Sequence, residues 1–128
     1  MIEEISCLRA FETLKIKKHS HLIDVRTDFE WKNVGIPDLK SLNKDVFLIK
    51  WPVFLNKQFL DSFHNKLDKN FNHENHLFFI CRSGFRSKIA SELAFHLGYV
   101  HSYNIKEGFE GNGTGVNNWK NNLPWKYN

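Results

Sequence analysis

The chain is poor in the residues that staple or punctuate a fold. Its 128 residues include two cysteines, three prolines and one methionine. Cys7 and Cys81 are too few for the disulfide framework of a small secreted domain, and in a reducing compartment both are thiols. Long apolar runs are also missing, since no stretch approaches the ~20 residues needed to cross a bilayer. The opening "MIEEISCLRA" has acids where a secretory signal has an apolar core. These absences predict a soluble, cytoplasmic protein with no membrane partner. Seven histidines are present, but "FNHENH" puts His73 and His76 in a polar connection and no further ligands stand at suitable spacing. Neither a metal nor another cofactor is expected.

Acids are the scarcer charge, 14 against 18 lysines and arginines, for a formal net charge of +4. A basic excess admits nucleic acid or small anions as partners. The lysines are scattered, however, with "KIKK" at 15–18 the densest run. No segment repeats basic and aromatic residues on one face. Small anions are therefore the expected partners, and nucleic acid is not.

What is present is a globular balance, 41% hydrophobic, 15% aromatic and 25% charged, at the length of one domain. Leu8, Phe11 and Leu14 in "LRAFETLKIKK" predict a short helix. "HLIDVR" reads as a buried strand over Leu22 to Val25, followed by a helical turn in "DFEWKN" that Gly35 and Pro37 interrupt. "DVFLIKW" is a strong strand pattern. "NKQFLDSFHNKLDKN" spaces Phe59, Leu60, Phe63 and Leu67 on one helical face, with Asn56 as N-cap. "HLFFI" is a strand covered on both sides. A helix follows from about Arg86 to Leu97, with Ile89, Ala90, Leu93, Ala94 and Leu97 inward and Gly98 as its stop. "YVHSYNI" supplies another strand.

This alternation predicts one α/β domain over 1–128, with a mainly parallel sheet of about five strands and helices on both faces. Residues 109–128 read as an irregular tail anchored by Trp119 and Trp125. Its exposed aromatics are also candidates for docking a partner. Gly111, Gly113 and Gly115 lack the strand, helix and later acid of a nucleotide loop, so they read as a turn.

The chemistry concentrates in "FFICRSGFRSKIA". In an open α/β sheet, ligands bind beyond the carboxyl ends of the strands. Cys81 follows "HLFFI" directly and precedes a helix N-terminus, with its unpaired N–H groups and partial positive charge. Gly84 lets the loop amides turn inward, and Arg82 and Arg86 add charge. A cysteine in such surroundings ionises more readily than an isolated one. The plainer alternative is a small buried side chain whose arginines pair with surface acids. Against it, only four arginines occur in the chain, and two of them follow this cysteine within six residues of each other. Where lysine is the default cation, paired guanidiniums suggest an oxyanionic partner. Cys7, beside Leu8, reads as a small hydrophobe, with a resolving thiol as the alternative.

"CRSGFRS" resembles the active-site loop of rhodanese-like sulfurtransferases, "LIDVRTDFEW" a strand-and-turn motif of that domain, and "YNIKEGFEG" with "NNWKNNLPW" its C-terminal portion in single-domain bacterial versions. The resemblance runs from about Ile5 to Trp125. It implies that Cys81 takes a sulfane sulfur from a small anionic donor such as thiosulfate and passes it from a persulfide to cyanide, a thiol or a protein acceptor. Residues 82 to 86 (Arg82, Ser83, Gly84, Phe85 and Arg86) would hold donor and persulfide, and Ser87 would bond the loop or cap the helix. Asp24 and Arg26 match the family's "DVR"; a structural ion pair is the favoured role, orientation of the loop the alternative. Glu30 and Trp31 also match and are expected to serve folding. The "GHIPGA"-like stretch of many members is here "VGIPDLKSLN", without the histidine.

Cysteine phosphatases and arsenate reductases place five residues between Cys and Arg, whereas "RSGF" is four. The shorter ring suits a sulfur atom and fits a tetrahedral phosphate poorly. A non-catalytic module for protein binding, redox sensing or sulfur carriage remains the other reading, although such modules often lack the cysteine kept here.

Overall fold

The computed structural model describes residues 2–111 and 116–128; Gly113 and Gly115 lie outside them. Along the chain run β1 (Glu3–Ile5), α1 (Cys7–Ile16), β2 (Ser20–Asp24), α2 (Asp28–Asn33), β3 (Ile36–Pro37), β4 (Phe47–Leu48), α3 (Lys57–Asn70), β5 (His76–Ile80), α4 (Phe85–His96), β6 (Ser102–Ile105), α5 (Trp119–Asn122) and β7 (Trp125–Lys126). Five strands form one sheet in the order β1-β6-β5-β2-β4, and every pairing in it is parallel. The α/β class and five-strand parallel sheet agree with the sequence reading.

The strand pleat sorts side chains to two cores. Leu77, Phe79 and Cys81 join Phe63 and Leu67 of α3 and Ala90 and Ala94 of α4 on one face. Phe78 and Ile80 join Cys7, Ala10 and Leu14 of α1 and Trp119 of α5 on the other. An uninterrupted apolar run such as "HLFFI" is what a strand buried on both faces requires. The helix ends follow local chemistry: the side chains of Ser6, Thr27 and Asn56 each accept a backbone N–H in the first turn, which offsets the unpaired amides there.

Several elements depart from the sequence reading. In α1 the buried face is Cys7, Ala10 and Leu14, while Leu8 is exposed; the small Cys and Ala present the side that lies against the sheet. α4 begins one residue earlier than expected, at Phe85. "DVFLIKW" yields only a two-residue strand, although Ile49 and Trp51 still donate backbone bonds to Asp24 and Arg26. β1 carried no strand pattern, because two of its three residues are exposed acids on an edge. "IP" at 36–37 pairs antiparallel with Trp125–Lys126, so the end of the tail closes a second small sheet. Gly35 permits this, since a Cβ there would stand 2.6 Å from the Trp125 ring.

The tail tryptophans turn inward. Trp119 is fully buried, with its indole N–H on the Pro124 carbonyl at 2.8 Å. Trp125 meets Phe109 edge-on at 6.2 Å. His76 opens β5 rather than lying in a loop, stacked on His101 and bonded to the Tyr103 hydroxyl. Among the described residues, no helix is long and apolar enough to cross a membrane, and no three His, Cys, Asp or Glu side chains gather as a metal site.

Candidate active site

Cys81 follows β5 on the face that α4 covers, so the pleat sets its thiol beneath the N-terminus of that helix. Gly84 caps α4 with φ +105° and no side-chain bond. Its amide donates to Cys81 Sγ at 3.1 Å. Two constraints demand glycine here: the positive φ disfavours L-residues, and a Cβ would lie 2.5 Å from the Lys106 carbonyl oxygen. The sulfur is a recessed atom, its residue 1% exposed, while Arg82, Ser83 and Phe85 stand in solvent above it.

The loop keeps its shape because its first carbonyls are tied down. Cys81 O accepts from Phe109 N–H at 2.8 Å, and Arg82 O from Glu110 and Gly111 N–H at 2.9 and 3.1 Å. With those carbonyls held toward the 108–111 turn, the Gly84 amide is left for the sulfur. Gly108, at φ +67°, makes the approach possible; a Cβ there would be 2.5 Å from Arg82 O. This bracing role of "GFEG" was not visible as site chemistry in the sequence.

Both arginines of the loop pair with carboxylates of the chain. Arg86 forms a two-pronged bridge to Glu30, at 2.8 and 2.9 Å. Glu30 is itself locked by the Thr27 capping box that starts α2. Burial by itself would raise the Glu30 carboxyl. The bonds and charge of Arg86, the bond from Thr27 and the charge of Arg26 outweigh burial and hold it below the ordinary range. The Arg86 guanidinium is pushed up chiefly by its bonds to Glu30, against burial, with the charges of Glu30, Cys81 and Asp24 adding. Glu30, expected only to serve folding, thus belongs to the site's frame: it clamps the first turn of α4 to the first turn of α2. Arg82 reaches Glu110 at 3.4 Å.

Asp24 and Arg26 form a wholly buried ion pair. Arg26 Nε and Nη2 donate to the Asp24 carboxylate, and Nη2 also donates to the Gly35 carbonyl at 2.7 Å. The guanidinium carbon sits 4.4 Å from the Phe109 ring centroid. Arg26 therefore reaches the Cys81 loop through Phe109, whose amide holds Cys81 O.

Ser87 sits 3.2 Å from Cys81 Sγ and 2.6 Å from Asn104 Oδ1. Asn104 Nδ2 donates to the Gly84 carbonyl and to Glu4, both acceptors only, so its Oδ1 must be what receives the Ser87 proton. Ser87 Oγ therefore sits between Asn104 and the sulfur, and Asn104 holds the loop and the serine together. Asn104 was missed, although a polar residue inside the buried strand "SYNI" is the kind of signal that calls for a partner.

Cys7 lies in the core on the other face of the sheet. Its thiol donates to Asn117 O at 3.2 Å and is pushed up chiefly by burial. With the sheet between them, Cys7 is not placed to resolve an intermediate on Cys81, and the small-hydrophobe reading stands.

A recessed sulfur with the Gly84 N–H on it at a helix start can act as a nucleophile and hold the negative charge that its reaction leaves nearby.

The STR4 middle domain family model matches residues 3–128. An uncharacterized protein of Rickettsia prowazekii is 41% identical over 127 residues, covering 99% of both chains. One of Rickettsia conorii is 42% identical over 126, covering 98% of both. Among solved structures, Rv0390 of M. tuberculosis superposes with a TM-score of 0.83 at 34% identity, covering 98% of both chains. The polysulfide-sulfur transferase homodimer of Wolinella succinogenes, 21% identical, superposes at 0.69 over 98% of this chain and 78% of that one. A rhodanese-like domain protein of Staphylococcus aureus, 19% identical, does so at 0.55 over 91% and 93%. The last two bear on fold alone, and the fold is rhodanese-like. With a model matching nearly every residue and relatives above 40% identity along the whole chain, the protein belongs to the STR4 middle domain family.

Proposed function

We propose that the protein is a sulfurtransferase that carries a sulfane sulfur on Cys81. The observation that supports this most directly is the Cys81 sulfur, recessed under the α4 N-terminus with the Gly84 amide on it at 3.1 Å. The thiolate attacks the outer sulfur of an anionic donor. With thiosulfate, a bond forms between that sulfur and Cys81 Sγ, the bond to the sulfonate sulfur breaks, and sulfite leaves with the electron pair. The loop amides stabilise the persulfide's charge, and Arg82 at the mouth attracts the anion. Arg86 acts on the donor through position: its bridge to Glu30 aligns the first turn of α4. A nucleophilic acceptor then removes the outer sulfur and returns the electron pair to Cys81. No metal or cofactor takes part in either step.

The test is direct. After incubation with thiosulfate, the intact wild type gains one sulfur by mass spectrometry, Cys81→Ser gains none, and cyanide discharges the product as thiocyanate. A wild type that neither gains sulfur nor turns over thiosulfate and cyanide refutes the proposal. Phosphate release from an aryl phosphate would assign the loop to phosphoryl chemistry instead.

A further inference from the structure

The edge of the sheet that carries Cys81 also carries a group of large apolar side chains in solvent. Phe29 is 71% exposed, Val53 91%, Phe54 80% and Phe85 75%. Their placement follows from the topology. Phe29 opens the helix after β2, Val53 and Phe54 follow β4, and Phe85 follows β5, on three adjacent strands of one parallel sheet. Two ion pairs stitch these segments together beside the apolar residues: Glu30 to Arg86, and Asp28 to Lys50 at 3.2 Å. Trp51, just before Val53, shares the buried cluster of Cys81. Two strand spacings, roughly 10 Å, separate β4 from β5.

The size and charge of this edge narrow what can cover it. At ~150–250 Å² for each aromatic side chain, the four residues expose roughly 500–600 Å². That approaches the ~800 Å² each partner contributes to a standard protein interface, and a small hydrophilic acceptor would leave most of it wet. Four cations of the edge share their charge with carboxylates: Lys50 sits on Asp28, Lys57 on Asp61, Arg82 more loosely on Glu110 at 3.4 Å, and Arg86 on Glu30. An acidic partner or a polyanion would have to displace these carboxylates. An apolar centre with a rim of paired charge matches the anatomy of a protein-binding patch.

We propose that this edge docks an acceptor protein that presents its cysteine on an apolar, weakly charged loop. The inference rests on the sulfurtransferase reading and names its acceptor class. In the docked state the acceptor thiol sheds its proton to solvent and its thiolate attacks the outer sulfur of the Cys81 persulfide. A bond forms between the acceptor sulfur and that outer sulfur. The Cys81 S–S bond breaks, its electron pair returns to Cys81, and the acceptor departs as the persulfide. No oxidant or reductant is consumed.

The experiment loads the full chain with thiosulfate, removes the excess, and verifies one added sulfur by mass. Discharge is then timed with cyanide and with three synthetic cysteine peptides, flanked by leucine and phenylalanine, by serine, or by glutamate. The apolar peptide discharges about tenfold faster than the serine peptide, the scale of one interface anchor, and the advantage survives high salt. Val53→Ser/Phe54→Ser, and separately Phe29→Ser, reduce that advantage while cyanide discharge and Tm stay at wild-type values. Equal rates for the apolar and serine peptides overturn the docking proposal, as does an advantage that persists in both variants. A faster glutamate peptide gives the edge to an acidic partner. A wild-type dimer that Val53→Ser/Phe54→Ser splits gives it to a second copy of this chain. Failure to load any sulfur removes the underlying sulfurtransferase reading itself, an outcome distinct from all of these.

Discussion

Whether Arg86 works by charge or by position can be decided at Glu30. In Glu30→Gln the partner keeps one oxygen but loses its charge and turns an N–H₂ toward the guanidinium. In Arg86→Lys the cation stays and the fork is lost. Both bridge side chains are mostly buried, at 25% and 16% exposure, so solvent screening removes little of the interaction. A hydrogen bond to a charged group contributes about 1.5–3 kcal/mol, and either change should lower stability by that order. For a chain of this length about 1 kcal/mol corresponds to roughly 3–5 °C in Tm, giving an expected drop of about 5–15 °C. Because the two residues share one interaction, the double variant should lose less than the sum, with a coupling of about 1–2 kcal/mol. The kinetic effect follows from α4: a small misplacement of catalytic groups costs up to about a hundredfold in rate, so kcat for thiosulfate:cyanide turnover should fall about 10–100-fold in both single variants. The sign with pH is set by the depressed Glu30 carboxyl. Its contribution is complete above the carboxyl's unfolded value and is lost as pH falls through the folded one, so the variants should converge on wild-type stability only in acid. The outcome that refutes positioning is a Glu30→Gln protein with unchanged Tm and a lower KM for thiosulfate, since freeing the guanidinium would then have made a better anion clamp.

Gly84→Ala should disable the loop, because the new Cβ meets Lys106 O at 2.5 Å and the residue has φ +105°; a Tm loss with at least about tenfold slower turnover is expected, and wild-type kinetics would show that the loop can rebuild. Asn104→Leu leaves the Gly84 carbonyl and Ser87 without their partner, at a cost of about 1–3 kcal/mol by denaturant titration; Asn104→Asp should retain the acceptor for Ser87 but set a carboxylate oxygen against the Gly84 carbonyl and Glu4, so an Asp variant as stable as wild type would refute the assigned orientation. Cys7→Ala should load one sulfur from thiosulfate as wild type does, and a loss of turnover in that variant would reinstate a second-thiol role. Burial, with the charges of Lys44 and His19, lowers His21, and burial with the charges of His101 and Lys17 lowers His76. Each depressed histidine favours unfolding once the unfolded chain protonates, so calorimetric stability should begin to fall below about pH 6.5, and His21→Phe should soften that decline.

The local elements were legible where one stretch of chain contains its own reason. "HLFFI" reads as a strand because both of its faces are apolar, Asn56 reads as a cap because its side chain meets an amide three residues on, and Gly98 ends α4 at φ +103°. The short pairings were not legible. Glu3–Ile5 and Ile36–Pro37 become strands only because β6 and the tail supply their partners, and no pattern in two or three residues announces that. The aromatics illustrate the same limit. Trp119 and Trp125 pack onto the domain as read, Tyr127 stays 62% exposed, and three further exposed aromatics, Phe29, Phe54 and Phe85, lie on the Cys81 edge where no local pattern marked them.

At the candidate site, the sequence by itself determined the setting of Cys81. A cysteine after an apolar strand, a glycine in a short loop and a helix start together place a thiol against backbone amides, because strand direction and the helix's unpaired N–H groups are local properties. Tertiary structure decided what each neighbouring side chain does. Arg86 has the same charge on paper whether it grips an anion or a carboxylate, and only the fold brings Glu30, 56 residues earlier, within 2.8 Å of it. Asn104, the 108–111 turn and the separation of Cys7 from Cys81 by the sheet are likewise facts of packing. They depend on which distant segments meet, and the spacing of residues along one chain does not encode that distance.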